Sequence, residues 1–295
     1  MPFAETPLRD EYAAAVERMA RRTLDALRDA GGAASGAGAY PEPDGLLASL
    51  LTDPDGTVPT AVLAAARVLG VDLFAPRLLR PDFSPRPGFP SDRLDEPTAR
   101  LLAEARRVFP PPAAADVNST DSLDSSPQSP SADACLVIAW QDWAVSALLV
   151  RTADGVRAYG GDAVQLPAAV PHPSPRPGQG PNGWQTWSVR MAQLSSLALP
   201  GLDGPVHDLA RAHTLDLARG ATRSMLRRDL RTATRLARWL AWARADGRPL
   251  RLEVEPVLER IRLTGDGSAR TLLELAIAER LLAGPTALTS ARPAP

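Results

Sequence analysis

Apolar residues recur at helical spacing from the start of the chain. Leu8, Tyr12, Val16, Met19, Leu24 and Leu27 mark one face of a helix. Thr6 suits its N-cap and Pro7 its first position, with Asp10 and Glu11 in the first turn and Gly31 to stop it. The same periodicity predicts shorter helices at Leu46–Leu51, Thr60–Leu69 and Pro97–Val108. Residues 110–133 break the pattern: they are poor in apolar side chains and rich in Pro, Ser and Asp, so they read as a disordered linker.

Beyond that segment the pattern reads differently. CLVIAW (135–140) has the look of a buried strand. WAVSALLVRT (143–152) and VRAYG (156–160), joined through Ala153-Asp154-Gly155, read as a hairpin. Residues 167–183 are rich in Pro and Gly and read as irregular. A long helical region follows from about Val206 to Ala245, interrupted or kinked near Gly220. Leu250–Glu255 (LRLEVE) alternates as a strand, and a last helix spans about Ser268 to Ala283.

The expected fold is therefore α+β and predominantly helical. A helical N-terminal domain (1–109) precedes the linker (110–133), a C-terminal domain with a small antiparallel sheet and a long Arg-rich helix (134–285), and a frayed tail (286–295).

Charge changes this picture most. The formal net charge is −1, yet residues 1–110 hold 13 Arg against 16 acids, and residues 111–133 add four Asp. Residues 205–295 carry 16 Arg against 10 acids. An acidic front and a basic back invite contact with each other or with an external anion. All 33 basic residues are Arg, so every fixed cation is planar and suited to bidentate carboxylate or phosphate contacts. The absence of Lys excludes P-loop, Schiff-base and S-x-x-K chemistry.

Five of the arginines, Arg219, Arg223, Arg227, Arg231 and Arg235, recur at every fourth position. On one continuous helix they would form a ridge roughly 24 Å long. Asp229 is the sole acid from Arg219 to Ala245, so local neutralisation is scarce. Leu226, Leu230, Ala233, Ala237 and Leu240 are spaced as a packing seam on another face. Three readings of the ridge remain open: a solvated or internally paired face, a face for nucleic-acid phosphates without base readout, and a face for an acidic protein segment.

The six tryptophans form three W-x-x-W pairs, and WQDWAV (140–145) echoes WQTWSV (184–189). Tryptophans stacked in a core compete here with a stacking platform, for which Trp239 and Trp242 beside the arginines are the candidates. Histidine chemistry is thin. His207, Asp208 and His213 could line a pocket, but without metal-site spacing such as H-E-x-x-H. Residues 59–81 faintly resemble a helix-turn-helix, with Pro76 inside the would-be recognition helix. Cys135 reads as a small buried hydrophobe, and a single cysteine excludes an intrachain disulfide.

These readings favour a non-enzymatic interaction or regulatory protein, without cofactor or metal, whose Arg-striped helix engages an anionic partner. Nucleic acid is the first candidate, an acidic protein segment the second, and the acidic linker an intramolecular competitor. An enzyme using His207, Asp208 or His213, and an oligomer pairing through the Leu226–Leu240 seam, are the alternatives. Without a signal-peptide pattern or a run approaching 18 apolar residues, the expected location is the cytoplasm, away from membranes.

Overall fold

The computed structural model describes residues 6–32, 58–80, 96–110, 132–150, 166–167, 169–171 and 183–284. Its helices are α1 (Thr6–Gly32), α2 (Thr60–Leu69), α3 (Ala75–Leu78), α4 (Glu96–Val108), α5 (Ala132–Leu149) and α6 (Gly183–Gln193). They continue with α7 (Pro205–Ala212), α8 (Thr214–Leu226), α9 (Leu230–Ala245), α10 (Val254–Thr264) and α11 (Ala269–Ala283). Short 3-10 turns lie at Gly70–Phe74 and Ser195–Leu197. No strand occurs among the described residues, so the expected antiparallel sheet and the α+β class are corrected to an all-helical architecture.

Both strand readings fail for identifiable reasons. CLVIAW and WAVSALL belong to the single helix α5, which is apolar on nearly every face and therefore lacks a 3.6-residue signal. Its burial on many sides explains that composition: Cys135, Leu136, Trp140, Trp143, Val145 and Leu148 are all buried. The Ala153–Gly155 turn and VRAYG lie outside the described residues. LRLEVE forms no strand: the chain bends at Arg251 and Leu252, Glu253 is the extended N-cap, and α10 begins at Val254, with no strand among the described residues to pair with it. Its alternation reflects a connector that tucks Val254 inward while Arg251 and Glu253 point out.

The long Arg-rich helix is also corrected. It is not kinked at Gly220; that glycine lies mid-helix in α8, where an added Cβ would stand 2.6 Å from Ser188 Cβ of α6. Chain reversal occurs instead at Arg227–Asp229, where Arg228 adopts a left-handed φ of 59°. Asp229 then caps α9 by accepting from Thr232 N at 3.1 Å. The extensive contact between α8 and α9 makes them an antiparallel hairpin.

α9 is the central helix. It touches α6, α7, α8, α10 and α11, and every residue from Ala233 to Ala243 except Arg235 is buried. N-terminal elements close the other side: α1 lies on α11, α2 on α1 and α4, and the 70–74 turn on α5. One continuous hydrophobic core draws buried residues from both flanks of the 110–133 segment. Of that segment, residues 111–131 lie outside the described residues, as do the Leu46–Leu51 helix and the 286–295 tail. The helix-turn-helix resemblance dissolves, because Val71, Asp72, Leu73 and Phe74 are buried in the 3-10 turn.

Candidate anion-binding site

The five periodic arginines divide between two helices and meet different neighbours. Arg219 on α8 pairs with Asp216 at 3.1 Å. Arg223 lies over the Trp184 ring of α6, with Cζ 5.9 Å from its centroid. Arg227 caps the end of α8 and is exposed. Arg231 opens α9 and holds Asp266 at 2.8 Å, and Arg235 approaches Glu274 at 3.6 Å. Among the described residues Arg223, Arg227 and Arg228 have no carboxylate within ion-pair distance. The unneutralised charge thus gathers at the hairpin turn.

Leu226 changes its assignment. Expected in a packing seam with Leu230, Ala233, Ala237 and Leu240, it is 81% exposed, whereas Ala233, Ala237 and Leu240 are buried. Leu215 is 41% exposed on the same helix. At the helical spacing, Leu215, Arg219, Thr222, Arg223 and Leu226 share the outer face of α8. That face is an interleaved row of leucine and arginine.

A second feature forms where α9 leaves the hairpin. Arg231 and Arg235 line a cleft of about 450 Å³ together with Arg270 of α11, Tyr12 and Val16 of α1, and Val68 of α2. Behind it lies a buried charge cluster that sequence reasoning missed. Arg238 is fully buried, 2.7 Å from Asp72 Oδ1, and donates to Glu274 Oε2 at 2.9 Å. It also donates to the carbonyls of Ser196 and Ala198 at 3.2 and 3.3 Å. Burial opposes its charge, but Asp72 and Glu274 outweigh that and hold its pKa above the ordinary value. Burial raises Asp72 above the usual carboxylate range despite Arg238. For Glu274, burial pulls the same way, but Arg238, Arg235 and Arg270 together keep it below that range.

The tryptophans are core residues. Trp140, Trp143, Trp187, Trp239 and Trp242 are buried, and only Trp184 is half-exposed. The indole N–H groups of Trp140, Trp187 and Trp239 donate to the carbonyls of Ala169, Pro171 and Met191. Trp239 and Trp242 stack edge-on, with ring centroids 5.6 Å apart. They offer no open platform for a base.

His207, Asp208 and His213 are not brought together. His207 is fully buried between Trp239 and Trp242, and its Nε2 donates to Leu197 O at 2.9 Å. Its Nδ1 is buried without a hydrogen-bond partner among the described residues, so a second proton there would be unsupported. Burial accordingly lowers its pKa. Asp208 points outward to Arg211, which also holds Asp203 and Asp246. His213 faces Asp216 at 3.4 Å. No His, Cys, Asp or Glu group with metal-holding geometry occurs among the described residues, and Cys135 is buried. No described helix is long and apolar enough to cross a membrane.

No family model, curated protein or solved structure matches the chain.

Proposed function

We propose that this is a non-enzymatic interaction protein whose α8–α9 hairpin engages an acidic, amphipathic protein segment. The observation that carries the reading is the outer face of α8: exposed Leu215 and Leu226 interleaved with Arg219 and Arg223, and the unpaired Arg227 and Arg228 at its end. A partner helix with apolar anchors and carboxylates at matching spacing would meet both chemistries at once. Guanidinium groups meet carboxylates through bidentate fork contacts. An exposed leucine at the centre of a basic tip adds apolar burial that a phosphate backbone would not use. The break at Arg227–Asp229 also divides the arginines between two helices, so they form no single straight ridge.

The test is fluorescence anisotropy of the full chain with two labelled probes: an amphipathic Leu/Glu helix-forming peptide and a single-stranded oligonucleotide. The reading predicts peptide binding that weakens with salt and drops at least tenfold both in Leu226→Ser and in the triple change Arg223→Gln, Arg227→Gln, Arg228→Gly. Oligonucleotide binding insensitive to Leu226→Ser, with no peptide binding at low salt, would replace it with a nucleic-acid partner.

A further inference from the structure

The cleft between α1, α9 and α11 is walled by two chemistries. One wall carries the guanidinium groups of Arg231, Arg235 and Arg270; the other carries Tyr12, Val16 and Val68. Its volume of about 450 Å³ falls within the range of small-molecule pockets, roughly 300–1,000 Å³.

The carboxylates of this cleft are already engaged. Glu17 Oε2 accepts from Ala269 N at 2.7 Å, at the start of α11. Glu274 turns its oxygens to Ser195 Oγ at 3.1 Å and to Arg238 Nη1 at 2.9 Å. Arg231 is held by Asp266. Arg270 differs: its Nε and Nη1 are buried and have no hydrogen-bond acceptor among the described residues. Its charge acts on Asp72, Glu274 and Tyr12, so it stands near them without spending those two donors. Two buried guanidinium donors without an acceptor are costly to leave unmet, and an oxyanion is the group that satisfies guanidinium donors best.

From this arrangement we infer that the cleft is a binding site for a small organic oxyanion, a carboxylate or phosphate monoester carrying an apolar body. Arg270 is its primary anchor and Arg235 supplies the second charge, while the apolar part lies against Val16, Val68 and the Tyr12 ring. This site is separate from the outer face of α8.

Isothermal titration of the full chain with phenyl phosphate, phenylacetate and inorganic phosphate tests the inference. The expected result is saturable one-to-one binding of at least one phenyl-bearing anion, at least tenfold tighter than inorganic phosphate. The tighter of the two phenyl probes identifies the phosphate or the carboxylate as the natural head group. Arg270→Gln should weaken that binding at least tenfold. Val68→Trp, at a position 38% exposed, should block the cleft while leaving every charge in place. Arg227→Gln should leave the small-anion affinity unchanged, which separates this site from the peptide-binding face. Absence of saturable binding, equal binding of inorganic phosphate, or wild-type affinity in Val68→Trp would overturn the inference.

Discussion

Arg238 Nη1 stands 2.7 Å from Asp72 Oδ1, with both side chains almost wholly excluded from solvent. The pair joins the middle of the central helix to a 3-10 turn in the N-terminal third of the chain. An acid of the front and an arginine of the back therefore meet inside the protein, and Glu17 of α1 accepts from the backbone N of Ala269 at the start of α11. A half-buried contact, Arg67 Nη2 to Asp142 Oδ2 at 2.7 Å, ties α2 to α5.

Removing one member of such a cluster leaves uncompensated charge in the core. Arg238→Met should destabilise the protein by about 3–5 kcal/mol. Converting Asp72→Asn and Glu274→Gln in the same background should recover much of that loss, because the isolated buried carboxylates disappear with the arginine. Urea unfolding of the single and triple variants measures both effects.

Gly220 is set by packing and not by helix termination. Gly220→Ala gains about 1 kcal/mol of helix propensity. Its new Cβ would nevertheless meet Ser188 Cβ at 2.6 Å and Leu236 Cδ1 at 3.0 Å. Overpacking of this kind costs about 1–3 kcal/mol, so a net destabilisation is expected. Ser188→Gly in the same chain should restore part of it, and a double-mutant cycle reads the coupling.

Arg228 is the sole non-glycine residue with positive φ among the described residues. A left-handed conformation costs an L-residue with a Cβ about 1–2 kcal/mol. Arg228→Gly should therefore leave stability unchanged or raise it by up to about 1 kcal/mol, even as it weakens binding of an acidic peptide. Thermal unfolding paired with anisotropy separates the two effects.

The pH profile should carry the mark of His207. The unfolded chain takes up a proton near the ordinary imidazole value of about 6.5. The folded chain resists, because burial between Trp239 and Trp242 lowers the His207 pKa. Its contribution is fully present above about pH 6.5 and is lost as pH falls through the folded value. His207→Gln keeps a donor for Leu197 O and should flatten the unfolding free energy between pH 7 and pH 5. A separate limb belongs to Asp266. Although partial burial works to raise its pKa, hydrogen bonds from Arg231 and Ser268 bring it down to about 2. Its stabilisation is present above about pH 3.9 and is lost toward pH 2. Asp266→Asn should flatten that lower limb alone.

The parts legible in sequence were those with a clean amphipathic period or a capping residue. α1, α2, α4 and α11 follow their apolar spacing, and α11 starts where it was expected, at Ser268, whose side chain accepts from Thr271 N; the cap that Asp229 gives α9 was not read from the sequence. α5 was not legible because its apolar residues occupy nearly every face, and burial on all sides erases the helical period. LRLEVE carried a two-residue period without a neighbouring strand to pair with. The arginine spacing was real, but the chain reversal at Arg227–Asp229 lacks Gly and Pro, so no turn signal announced it. Arg238 sits three residues after Arg235 and shares its composition context. Only its tertiary neighbours Asp72 and Glu274, respectively 166 and 36 residues away in sequence, distinguish a buried ion from a solvated one.

The most direct measurement of the central claim is hydrogen–deuterium exchange of the full chain with and without the Leu/Glu peptide. The account predicts added protection confined to α8 and the hairpin turn, from about Leu215 to Arg231, and lost in Leu226→Ser. Protection elsewhere, or none at a peptide concentration that saturates anisotropy, would contradict it.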